Sequence, residues 1–142
     1  MSRVREIIFY GRSGDNLQSV TDKLVQSLIK RGLYVTAYSD YDPERRESVA
    51  KVHVRIADGP IDVRGPVIAP EIAVFMDFRL LSRAVEASSV RKLIVNAPNR
   101  ELVAKYISNN AEVHTINLYS LIKTGNDYTS PLIDTIIKTL NT

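Results

Sequence analysis

Ile7-Ile8-Phe9-Tyr10-Gly11-Arg12-Ser13-Gly14-Asp15-Asn16-Leu17, followed at helical spacing by Val20, Leu24, Val25, Leu28 and Ile29, decides how the chain is read. Residues 6–10 have the composition of a buried strand, and the stripe after them has the 3.6-residue period of a helix. Gly32 ends that stripe with a residue suited to the left-handed turn after a helix C-terminus. Together they form the opening half of a βαβ unit. The polar hexapeptide 11–16 between them occupies the place where α/β proteins put loops that bind anions or partners. Its two glycines allow backbone angles that other residues avoid, the exposed amides of a helix start attract negative charge, and Arg12 adds its own. Asp15 sets a carboxylate in the same place, worth about 0.3–1 kcal/mol against the macrodipole and opposed to an incoming anion. A strand-to-helix turn capped by Ser13 or Asp15 explains these residues as well as an anion cradle does.

Outward from that unit, residues 34–39 read as the next strand, and the polar loop 40–48 turns at Pro43. Within it, Glu44, Arg45, Arg46 and Glu47 offer two neighbouring guanidiniums that could grip a carboxylate or phosphate in forked geometry. The competing reading is a solvated charged loop, whose ion pairs contribute under about 1 kcal/mol each. Val52, Val54 and Ile56 alternate with Lys51, His53 and Arg55, the pattern of a strand with one wet face. Asp58-Gly59-Pro60 then turns the chain into residues 61–63 as an antiparallel hairpin.

Beyond Pro66 and Pro70 the alternation of strand and helix resumes. The run from Ile72 to Met76 ends at Asp77, a carboxylate that either works catalytically at a strand end or, in the preferred reading, caps the next helix. Leu80, Leu81, Ala84 and Val85 mark that short helix. Residues 93–95 and 113–116 mark two more strands, with a helix face of Leu102, Val103, Tyr106 and Ile107 between them. Ser130 and Pro131 open a last helix with the stripe Leu132, Ile133, Ile136, Ile137 and Leu140. The expected architecture is one α/β domain over residues 1–142: Rossmann-like and three-layered, with a mostly parallel sheet, a β-hairpin insertion, and ligands at the carboxyl ends of the strands.

Composition excludes several classes of chemistry. At 142 residues, 44% hydrophobic and 25% charged, the chain can bury a core without disulfides. It has no cysteine, hence no thiolate nucleophile and no ligand set for an iron–sulfur cluster. The net charge of +3 is spread without the dense basic block of a nucleic-acid arm. The charged start Met1-Ser2-Arg3-Val4-Arg5-Glu6 and the lack of an apolar run near the roughly 20 residues of a membrane span point to a cytoplasmic protein with no membrane partner. His53 and His114 have no cysteine or spaced carboxylate to complete a metal site. Neither a Gly-x-Ser-x-Gly elbow, a Walker loop with its lysine, nor a full Gly-x-Gly-x-x-Gly fingerprint occurs. Tyr34, Tyr38 and Tyr41 fit strand and loop packing better than a base-stacking platform. No self-sufficient active site emerges.

In this order and spacing the segments resemble the gamma subunit, or gamma domain, of the 2-oxoacid:ferredoxin oxidoreductases, the pyruvate:ferredoxin oxidoreductase family. That family's Gly-Arg-Gly-Gly-Gln-Gly is matched at Gly11, Arg12 and Gly14, with Ser13, Asp15 and Asn16 departing. Its Gly-x-Tyr-Val strand is similar to Gly32-Leu33-Tyr34-Val35, and its Gly-Pro-Glu-Arg-Arg-Gly-Gly loop to Asp42-Pro43-Glu44-Arg45-Arg46, with Glu47 and Ser48 replacing the two glycines. Val54-Arg55-Ile56-Ala57-Asp58-Gly59-Pro60-Ile61 and Pro70-Glu71-Ile72-Ala73-Val74-Phe75-Met76-Asp77 resemble the family's next two segments. The likeness spans residues 5–96, and the family's Asn-Met-x-x-Leu-Gly-Ala stretch is not recognisable in residues 119–130.

The resemblance implies a non-redox component of a complex that oxidatively decarboxylates pyruvate or another 2-oxoacid, passes the acyl group to coenzyme A and reduces ferredoxin. Thiamine diphosphate, magnesium and the iron–sulfur clusters would sit on other chains. This chain would bind no cofactor alone and would dock with alpha, beta and delta subunits; a homodimer is compatible with the same reading. Gly11, Arg12, Gly14, Glu44, Arg45 and Arg46 would contact a partner subunit or coenzyme A, and no residue here would be catalytic or bind metal. The alternative is a stand-alone binding or regulatory module of the same fold, favoured by Asp15, Glu47 and Ser48. A third reading is an independent small-molecule enzyme.

Overall fold

In the computed structural model, which describes residues 4–12, 17–40, 49–61, 70–83, 90–106 and 111–141, the opening apolar run belongs to a longer strand, β1 (Arg5–Arg12). Gly11 and Arg12, read from the sequence as loop, are its last two residues and pair with Ala50 and Val49. A neighbouring strand, not side-chain hydrophobicity, determines where β1 stops. Helix α1 (Leu17–Lys30) buries Leu17, Val20, Thr21, Leu24 and Leu28. Its end is closed as the sequence suggests: the Leu33 amide donates to the Leu28 carbonyl at 3.3 Å, with Gly32 at φ +83°. Ile29 falls one position outside the stripe and is exposed.

Strands β2 (Tyr34–Asp40) and β3 (Val49–Ala57) follow, then β4 (Ile72–Phe75), a 3-10 helix (Phe78–Arg83), β5 (Lys92–Asn96), α2 (Arg100–Ala104), β6 (Glu112–Ile116), α3 (Tyr119–Lys123) and α4 (Thr129–Leu140). The sheet runs β2-β3-β1-β4-β5-β6. β1, β4, β5 and β6 are parallel, while β3 is antiparallel to both β2 and β1. This is the expected α/β architecture, a mostly parallel sheet with one antiparallel hairpin. The hairpin lies elsewhere than expected. Residues 51–56 of β3 are paired with β2 on one side and β1 on the other, so both hydrogen-bonding edges are filled and residues 61–63 have no place beside them. Ile61 is in no strand, and residues 62 and 63 lie outside the described ones.

Two apolar layers sandwich the sheet. Ile7, Phe9, Val54, Ile72, Val74 and Ile94 pack with α1 and α4, whose stripe Leu132, Ile133, Ile136, Ile137 and Leu140 is buried as predicted. On the other face Ile8, Tyr10, Ala73, Phe75, Leu93 and Val95 pack under Leu80 and Val103, and the rings of Tyr10 and Phe75 stack at 4.7 Å. Strands buried on both faces read as continuous apolar runs for this reason. Tyr106, expected on the α2 face, is exposed, and Ile107, Ala84 and Val85 lie outside the described residues.

The expected wet face of β3 is not wet: His53 and Arg55 are buried. Their partners come from the flanking strands. Arg55 Nε donates to Glu6 Oε1 at 2.5 Å from β1, and the Tyr38 ring of β2 stacks on His53 at 4.6 Å. Asp127, which the sequence reading passed over, begins α4 by accepting the Thr129 amide and the Thr129 and Ser130 hydroxyls.

Candidate functional site at the carboxyl edge of the sheet

After β1 the chain crosses to β2 through α1 on one face of the sheet. After β4 it turns to the opposite face through the 3-10 helix, towards β5. The crevice between the carboxyl ends of β1 and β4 is therefore a topological switch point, where open α/β sheets receive their ligands. The Met76 amide donates to the Tyr10 carbonyl at 2.9 Å, carrying the β1–β4 ladder to this edge, and the next residues outward are Arg12 and Asp77.

Asp77 Oδ1 accepts the Arg79 amide at 2.9 Å and Arg79 Nε at 2.9 Å, and its Oδ2 accepts an Arg79 terminal nitrogen at 2.6 Å. The cap reading of Asp77 thus holds, with an ion pair added. Burial alone would raise its pKa, but the hydrogen bonds from Arg79 and the charges of Arg79 and Arg12 outweigh burial and hold the carboxyl below the usual range. Next along the edge, the buried Asn96 donates to the Met76 carbonyl at 2.9 Å and accepts the Leu118 amide at 2.8 Å, joining the ends of β4, β5 and β6. Tyr119, the first residue of α3, points its hydroxyl at the Asn96 carbonyl at 3.3 Å and faces Asp77. Burial first, and then the Asp77 charge, push this phenol up to about 12. Among the described residues, the guanidiniums of Arg12 and Arg79 set against the single carboxylate of Asp77 leave this edge with a positive balance. It suits a phosphate or carboxylate better than proton abstraction.

Asp77→Asn is expected to lower the Tyr119 pKa from about 12 towards the ordinary tyrosine value, because the carboxylate disfavours the phenolate. Ultraviolet titration against a Tyr119→Phe reference reads the shift. An unchanged titration would contradict the Asp77–Tyr119 coupling.

Of the residues singled out from the sequence, Gly11 and Arg12 are placed at this edge, Gly11 buried and Arg12 exposed. Gly14, Glu44, Arg45 and Arg46 lie outside the described residues. The described residues flanking the two loops do meet, since Arg12 and Val49 are register partners. His53 and His114 stand on β3 and β6, with three strands between them in the sheet order, and His114 Nε2 lies 3.3 Å from Glu112 Oε2. Among the described residues no group of three His, Cys, Asp or Glu could hold a metal ion. Arg79, Asn96 and Tyr119 were not foreseen. The available signal was a polar residue directly after an apolar run, as at Asp77, Asn96 and Asn117.

Residues 6–137 match the sequence profile of the pyruvate ferredoxin/flavodoxin oxidoreductase family. The pyruvate synthase subunit PorC of Thermotoga maritima is 35% identical over 80 residues, which are 56% of this chain and 42% of that one. The common gamma subunit of the pyruvate and ketoisovalerate oxidoreductases of Thermococcus kodakarensis is 33% identical over 76 residues, 54% of this chain and 41% of that one. These matches span about two fifths of the relatives' own length. The crystal structure of the Thermotoga maritima pyruvate oxidoreductase subunit PORC has the same fold, with a TM-score of 0.74 and 22% identity over 96% of this chain and 76% of that one. No helix among the described residues is long and apolar enough to cross a membrane.

Proposed function

The chain belongs to the pyruvate ferredoxin/flavodoxin oxidoreductase family, and from that premise we propose that it is a gamma-type subunit of a 2-oxoacid:ferredoxin oxidoreductase. It docks beside catalytic subunits and presents its carboxyl edge to them or to the coenzyme A they use. The observation that carries this reading is Arg12 at the switch point, the family-matching arginine beside Asp77 and Arg79 at the one edge where an α/β sheet takes a ligand.

The division of labour follows from the side chains. With no cysteine this chain has no thiolates for a cluster, so electron transfer belongs to the alpha, beta and delta partners, which also hold thiamine diphosphate and magnesium. Bound on those partners, thiamine diphosphate would supply the electron sink that decarboxylation of a 2-oxoacid needs. Coenzyme A brings phosphates that match the donors present here. Arg12 and Arg79 supply charge-assisted hydrogen bonds, while Asp77 fixes the direction of Arg79. A partner carboxylate would be held by the same groups. Such a subunit works in the cytoplasm, and a homodimer of it inside the larger assembly is consistent with this role.

The test is co-expression of the tagged chain with the alpha, beta and delta subunits of a 2-oxoacid:ferredoxin oxidoreductase from the same organism, comparing the natural protein with Arg12→Glu. Arg12 is exposed at a strand end, so reversing its charge leaves the core intact. Loss of subunit recovery, or a rise of about tenfold or more in KM for coenzyme A at unchanged folding, is the expected result. Full recovery with an unchanged KM would overturn the assignment of this edge.

A further inference from the structure

β2 is the outer strand of the sheet next to β3, and among the described residues nothing hydrogen-bonds to its outer side. Soluble proteins guard such edges with lysine, proline or a bulge. β2 has none of these. Tyr34-Val35-Thr36-Ala37-Tyr38-Ser39 is uncharged and rich in strand-forming residues, and its register with β3 runs unbroken from Tyr34↔Ala57 to Asp40↔Lys51. The opposite edge is guarded, since β6 opens on the exposed carboxylate of Glu112. Two large side chains on β2 also lack full cover: Tyr34 is 50% and Tyr38 37% exposed.

We propose that β2 is a docking edge for a second copy of this chain, the two strands pairing antiparallel about a two-fold axis through Ala37. The sequence is self-complementary in that register. Thr36 meets Tyr38 of the other copy, Val35 meets Ser39, and the smallest residue, Ala37, meets itself on the axis. Tyr34, Thr36 and Tyr38 share one face of β2, so pairing sets the four tyrosines of the two copies side by side, within diagonal contact distance. The charges agree as well. Lys30 and Arg31 precede β2 and Asp40 closes it, so antiparallel pairing brings the basic start of each strand towards the acidic end of the other. The result is a continuous twelve-stranded sheet, twice the six strands of one copy. A joint of seven residues per strand is about 24 Å long, at the small end of stable interfaces, so the dimer dissociates on dilution. This surface is separate from the carboxyl edge and does not depend on its assignment.

The 142-residue sequence contains no cysteine, which permits a direct test. Ala37→Cys places one thiol per copy at the two-fold axis, where paired Cα atoms stand about 4.5–5.5 Å apart, within disulfide reach. Under mild oxidation it should form a disulfide-linked dimer at least about tenfold faster than Glu112→Cys on the opposite edge. In a sedimentation series the natural chain should pass from monomer to dimer with concentration, and Thr36→Lys, which adds an edge guard without touching the core, should weaken the association at least about tenfold. Equal cross-linking by the two cysteine variants, a natural chain monomeric at every concentration, or a Thr36→Lys dimer of unchanged strength would each overturn the proposal.

Discussion

Arg55→Met should cost about 3–5 kcal/mol of folding stability, a loss readable as a large fall in the urea midpoint. Only 5% of the Arg55 side chain and 12% of the Glu6 side chain reach solvent, and the two are held together at 2.5 Å. Methionine fills much of the arginine's volume, so the loss measures a stranded carboxylate and not a cavity. Its pH dependence distinguishes the two. In the natural chain burial already raises the Glu6 pKa, opposed by the hydrogen bond and charge of Arg55. A raised carboxyl means that the folded state holds a proton the unfolded state has released. The stability linked to that proton is present below the ordinary glutamate pKa of about 4.3 and is lost as pH rises through the folded value. Without Arg55 the upward push is unopposed. The deficit of Arg55→Met against the natural chain should therefore be smallest near pH 4 and grow towards pH 7 to 8. A deficit independent of pH would show that packing, not charge, dominates at this position.

The second large effect is expected at Asn96. Its side chain satisfies the Met76 carbonyl and the Leu118 amide, both at a buried position. Asn96→Leu keeps the bulk and removes both partners, leaving two buried backbone groups unmet at about 1–3 kcal/mol each, or about 2–6 kcal/mol together. The damage should be local as well as global. Leu118 and Tyr119 lead α3 back along the carboxyl edge, so hydrogen exchange should accelerate most across residues 118–124. Asn96→Asp retains an acceptor for Leu118 but sets a charge against the Met76 carbonyl, and it should not rescue the fold. A leucine variant as stable as the natural chain would mean that Asn96 does not tie the three strand ends together.

These two residues also show what a one-dimensional reading reaches. The stripes of α1 and α4 were legible because the residues of a stripe are three or four positions apart. So were Gly32 and the Asp77 cap, whose partners lie within a few residues. Arg55 was misread as solvent-facing because its partner Glu6 lies 49 positions earlier, on a strand whose adjacency to β3 is a property of the sheet order. The same order misplaced the hairpin: the turn at Asp58-Gly59-Pro60 was a sound local signal, but β1 already occupied the edge of β3 that residues 61–63 would need. At the carboxyl edge, the place of Arg12 at the end of an apolar run was legible, although it was read as loop and is the last residue of β1. Arg79, Asn96 and Tyr119 were not, since they follow different strands and meet only when β4, β5 and β6 align. Local chemistry predicts caps and stripes, whereas a site assembled from several strand ends requires the register.

The most direct measurement is isolation of the affinity-tagged chain from its native cells under gentle conditions, followed by identification of what accompanies it. A gamma-type subunit should leave the column in a large assembly with cysteine-rich chains carrying iron–sulfur clusters and thiamine diphosphate, and that assembly should reduce ferredoxin with a 2-oxoacid and coenzyme A. Recovery of the chain by itself or paired only with its own copy, with no such chains at any salt concentration, would contradict the assignment.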